Sequence, residues 1–110
     1  MNNIGGREIF IISKDSSKKS VVGTAVLDLG DDGGILNIEV YGLSHLIGRA
    51  PTSDEIAWMK NEVVDAFFSE EDDVLSVVVG FGENRRQRSS LAIFGFSEFD
   101  QLVSFSIAPE

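Results

Sequence analysis

Four carboxylates stand side by side in FFSEEDDVLSVVVGF (67–81): Glu70, Glu71, Asp72 and Asp73. A second group, Asp28, Asp31 and Asp32, lies in DLGDDGG (28–34), and Glu39 follows in the next segment. Neighbouring like charges repel, and taking them out of water costs more than a core returns, so both groups belong on the surface. Three kinds of chemistry are open to them: acid–base catalysis, cation ligation, and attraction of a positively charged partner.

Catalysis finds little support. Two carboxylates at a tuned separation can drive hydrolysis, but no spacing selects such a pair from the eighteen acids. Cysteine is absent and His45 is the single histidine. Ser44 precedes it in GLSHLIGRAP, but adjacent residues in a loop point apart, so His45 reads as a loop residue bonded to backbone rather than as the base of a Ser–His pair. No G-x-S-x-G elbow occurs. The expectation is a non-enzymatic protein without a cofactor.

Cation and phosphate sites fare no better. Counting from Asp28, Glu39 is twelfth and Gly33 sixth, as in a calcium loop, but Gly30 occupies the third position and residues 35–39 read as strand. No metal site is expected. GFGENR (80–85) begins like a dinucleotide fingerprint, yet Arg85 replaces the third glycine and no helix follows to hold a pyrophosphate.

Charge layout is more informative. The chain of 110 residues carries a net charge of −9. Residues 28–84 hold thirteen acids against Arg49 and Lys60, whereas the flanks are weakly positive or neutral. Such a field repels nucleic-acid phosphate and anionic lipid, and it attracts and steers a basic protein. The plainer reading is that acidity only keeps a small domain in solution. RRQR (85–88) reads as a solvated turn, or as a source of ion pairs to the protein's own acids or to a partner.

These residues need a scaffold. The length suits one domain, 1–110, with a core of its own. The opening MNNIGGREIF lacks the basic and apolar segments of a secretory leader, and no apolar run approaches the roughly 20 residues of a membrane span. A cytoplasmic protein is expected. Strands are expected over 7–13, 21–30, 35–42, 74–81, 91–96 and 102–108, with Leu36, Ile38 and Val40 alternating against Asn37, Glu39 and Tyr41. Thr52 and Glu55 form a T-x-x-E capping box, and Ile56, Met59, Val63 and Phe67 continue as one helical stripe, widened by Ala57, Val64 and Phe68. The expected fold is α+β: a six-stranded antiparallel sheet in the order β-β-β-α-β-β-β, packed on or curled around a single helix.

A small, acidic, cysteine-free domain without a catalytic set has the profile of an immunity protein. It would neutralise a basic, nuclease-type bacterial toxin by covering its active site. Asp28, Asp31, Asp32, Glu39, Glu70, Glu71, Asp72 and Asp73 are the expected contact residues, on a protein that is monomeric when free or part of a 1:1 complex. The competing expectation is a small acidic dimeric chaperone or adaptor for a secreted protein.

Overall fold

Two long strands far apart in sequence form the spine of the molecule. In the computed structural model, which describes residues 10–109, β2 (Lys19–Leu29) pairs antiparallel along its whole length with β6 (Arg86–Phe96). β3 (Ile35–Tyr41) folds back on β2 through a turn in which Gly33 adopts φ 83. β5 (Val74–Val78) pairs with β3, and β4 (Asp65–Ser69) pairs with β5. On the other side β7 (Leu102–Ile107) pairs with β6, and β1 (Phe10–Ser13) with β7. The sheet is antiparallel throughout, in the order β1-β7-β6-β2-β3-β5-β4.

The described residues thus hold seven strands and two helices, not the expected six and one. α1 (Leu43–Ile47) is a single turn bracketed by Gly42 and Gly48, whose φ values of 71 and 84 suit glycine. α2 (Ser53–Glu62) starts on the expected capping box: the Thr52 hydroxyl accepts from Glu55 N–H at 3.1 Å, and Glu55 Oε1 accepts from Thr52 N–H at 2.7 Å. It stops at Glu62. Val63 and the segment beyond it are extended, so Phe67 belongs to β4 and not to the helical stripe. The run VVDAFFS is β-branched and aromatic, which favours a strand wherever a neighbour offers a free edge, and β5 offers one.

Other boundaries also move. Residues 7–9 of the first expected strand lie outside the described residues. β5 ends at Val78, and Phe81 stands 78% exposed instead of filling a strand. β6 begins five residues before the expected 91, because the polar RQRSS pairs with the far half of β2.

Seven strands at about 4.8 Å spacing span nearly 30 Å, while a helix is about 10 Å across. The sheet therefore curls, and both helices sit on its concave side. Leu27, Ile38, Leu75, Val77, Phe94 and Phe105 line that side, sealed by Leu43 of α1 and Met59 of α2. Each such side chain stabilises the fold by roughly 1.5–3 kcal/mol on burial. The opposite face carries half-exposed Ile11, Val22 and Leu91 at one end and Glu39, Tyr41 and Phe67 at the other. No helix among the described residues is long and apolar enough to cross a membrane.

Candidate partner-binding surface

The register of the convex face decides which acids meet. Val26 lies opposite Glu39, Glu39 opposite Ser76, and Ser76 opposite Phe67, so one row runs across four strands. The next row sets Tyr41 beside Val74 and Ser69. Glu39, Ser76 and Phe67 of the first row and Tyr41, Val74 and Ser69 of the second, with Asp72 from the β4–β5 turn, line a shallow depression of about 470 Å³. Tyr41 is 58% exposed and Phe67 50% exposed. The Tyr41 hydroxyl donates to Glu39 Oε1 at 2.9 Å, and that hydrogen bond, with the charge behind it, raises the phenol above its ordinary pKa.

Asp72 reaches this depression from an exposed turn that it shares with Glu70 and Glu71, and none of the three forms an ion pair among the described residues. Asp73 is different. It takes φ 55 and turns inward, where Oδ1 accepts from Ser44 N–H at 2.9 Å and Oδ2 from the Ser44 hydroxyl at 2.8 Å. His45 Nδ1 approaches Oδ2 at 3.2 Å, and the Asp73 carbonyl accepts from Gly42 and Leu43. Donation from the Ser44 backbone, then from the Ser44 hydroxyl and His45, holds this carboxyl below its usual range despite partial desolvation. Asp73 thereby caps α1 from 29 residues away. A serine, a histidine and an aspartate meet here, but the hydroxyl donates to the carboxylate. Among the described residues no hydrogen bond joins it to the imidazole, so the order of a nucleophilic triad is not formed.

The second acidic group folds elsewhere. β3 separates it from the β4–β5 turn by seven residues, or roughly 20 Å. Asp28 accepts from Gln87 Nε2 at 3.1 Å and faces Arg85 Nη1 at 3.5 Å, and Asp31 accepts from Asn84 at 3.2 Å. Asp32 closes its own turn on Gly34 N–H at 2.8 Å. The β2–β6 pairing brings the arginine-bearing segment to these acids, so this end is of mixed charge. Of the eight expected contact residues, Glu39 and Asp72 line one depression, and Glu70 and Glu71 stand beside Asp72 in the β4–β5 turn. Asp28, Asp31 and Asp32 lie together elsewhere, and Asp73 is engaged within the fold.

One strong ionic site went unread in the sequence. Glu55 is only 4% exposed, and its two oxygens accept four hydrogen bonds. Arg49 grips it with both terminal nitrogens at 2.8 and 2.7 Å, Thr52 N–H binds Oε1, and Leu102 N–H binds Oε2 at 2.6 Å. Burial pushes this carboxyl up, but Arg49 and the two backbone donors outweigh it and bring it down to about 2. The Arg49 guanidinium also lies 5.9 Å from the Phe96 ring centroid, and Trp58 Nε1–H donates to the Leu102 carbonyl at 2.8 Å. With every lone pair directed at a donor, Glu55 ties α2 to the start of β7. The hint in the sequence was Arg49, one of two cations in the acidic middle, standing just before the capping box.

Among the described residues no group of three or more metal-ligating side chains gathers into a cation site. Set against protein-family models, curated proteins and solved structures, the chain matches none of them.

Proposed function

We propose that this chain is an acidic, non-catalytic inhibitor of another protein, an immunity protein that neutralises a basic, nuclease-type toxin by covering its active site. One observation carries the reading: Glu39 and Asp72 line one depression with two half-exposed aromatic rings, Tyr41 and Phe67, and Glu70 and Glu71 precede Asp72 in the same exposed turn. Aromatic side chains rimmed by charge are the usual anatomy of a binding surface, and carboxylates without an ion pair among the described residues match a cleft built to hold phosphate. The contact set narrows accordingly to the β4–β5 turn, Glu39 and the two rings. Asp28, Asp31 and Asp32 already share their end of the molecule with arginine.

The test uses the basic protein that co-purifies with this chain from its host. Replacing Glu70, Glu71 and Asp72 by Ser or Asn should slow association by about tenfold or more at low salt and flatten its salt dependence, the signature of lost steering. An on-rate and salt slope equal to those of the parent would refute this surface as the binding site.

A second reading, the dimeric adaptor, draws on Ile11, Val22 and Leu91, three half-exposed apolar side chains at the opposite end of the convex face. Light scattering separates the two. A mass near 12.0 kDa is that of the free inhibitor, and twice that mass is that of the adaptor.

A further inference from the structure

β4 is the last strand on its side of the sheet, and the ladder shows which of its backbone groups are left over. Val79 N–H donates to the Leu36 carbonyl, so in the alternating antiparallel pattern Leu75 and Val77 turn their main-chain groups to β3, while Val74, Ser76 and Val78 turn theirs to β4. In the β4–β5 register Asp65, Phe67 and Ser69 lie opposite Val78, Ser76 and Val74. The N–H and C=O groups of Ala66 and Phe68 therefore point away from the sheet. The Ala66 N–H is held by Asp65 Oδ1 at 2.9 Å, as an edge donor lacking a strand would be. No described strand lies beyond it.

Beside this edge, between β4 and α2, runs a groove of about 600 Å³ whose apolar wall is Ile56, Ala57, Ala66, Phe67 and Phe68. Its two ends differ. At one, Lys60 sits 3.6 Å from Asp65. At the other, Glu70 opens onto Glu71 and Asp72, which have no cation within ion-pair distance among the described residues.

We infer that the partner docks on β4 by strand addition. An extended segment bearing lysine or arginine pairs with the outward groups of Ala66 and Phe68, displaces the Asp65 carboxylate from Ala66, and lays alternate apolar side chains into the groove. Its cations lie against Glu70, Glu71 and Asp72. A second copy of this chain is a poor occupant. Antiparallel β4–β4 pairing would set Asp65 of one copy beside Ser69 and Glu70 of the other, and each copy carries −9. The inference rests on the acidic surface being the binding site, and it adds the mode of docking and the chemistry of the docked segment.

The experiment titrates isotope-labelled protein with a capped ten-residue peptide in which two lysines precede alternating valine and threonine. Two control peptides accompany it, one N-methylated at alternate backbone amides and one with glutamate in place of lysine. The expected result is that the Ala66 and Phe68 amides shift most and exchange more slowly. Affinity should fall about tenfold or more in each control, as strand pairing and charge pairing both require. Shifts confined to Glu39 and residues 70–72 that ignore N-methylation overturn strand addition and leave the acidic binding surface standing. Binding that N-methylation abolishes but glutamate leaves intact overturns the basic chemistry of the segment and keeps the edge. No shift with any peptide overturns both.

Discussion

Glu55 shows how a single carboxylate can serve the fold instead of a partner. Its folded pKa of about 2 lies below the value of about 4.3 for an unfolded glutamate, a gap worth roughly 3 kcal/mol. The ionised form is the one the fold prefers, so this stabilisation is complete above about pH 4.5 and drains away as pH falls towards 2. Glu55→Gln should cost roughly 3 kcal/mol at pH 7, since it leaves Arg49 without its anion, and its stability should fall less steeply than the parent's on acidification. Denaturant titrations from pH 7 to 2 would show this, and parallel curves for the two proteins would contradict it. Half of this site was legible in the sequence. The capping box announced Thr52 and Glu55, but the grip of Arg49 and the donation from Leu102, 47 residues away, depend on tertiary placement. Asp73 was read as one of four equivalent charges, and only the αL turn at the end of the run separates it from the other three.

Elements were legible where one period dominated. Strict alternation in β3 gave its face and its extent. In residues 63–68 two periods coexist: Val63 and Phe67 continue the helical stripe of Met59, while Ala66 and Phe68 alternate with Asp65 and Phe67 as a strand. The tie is broken by β5, whose free edge needs a partner, and that need is written in another part of the chain. The consequence can be measured. Met59 is fully buried and Phe67 half exposed, so Met59→Ala should cost about 2–5 kcal/mol, whereas Phe67→Ser should cost about 1 kcal/mol or less and chiefly weaken partner binding. Equal losses of stability, read by chemical denaturation, would return Phe67 to the core. The polar start of β6 was missed for the converse reason, since RQRSS has no apolar pattern of its own and is extended because β2 is.

At the scale of the whole molecule, the summed charge of residues 28–84 was plain in the sequence, but its division was not. The same strand pairing that builds the spine carries Arg85 to Asp28 and leaves the β4–β5 turn as the acidic end. That pairing also governs folding. A sheet whose longest ladder joins β2 to β6 is rich in distant contacts, and such topologies fold in milliseconds to seconds, not microseconds. Stopped-flow refolding should therefore resolve the main phase, and completion within the instrument's dead time would argue against this topology. During synthesis β2 leaves the ribosome long before its companion exists, so the spine closes only once residue 96 is free. Through that interval the emerging polypeptide presents an apolar, unzipped ribbon followed by its most negative stretch. Mutual repulsion between such nascent chains guards against clumping, which gives the acids a duty at birth, before there is anything to bind.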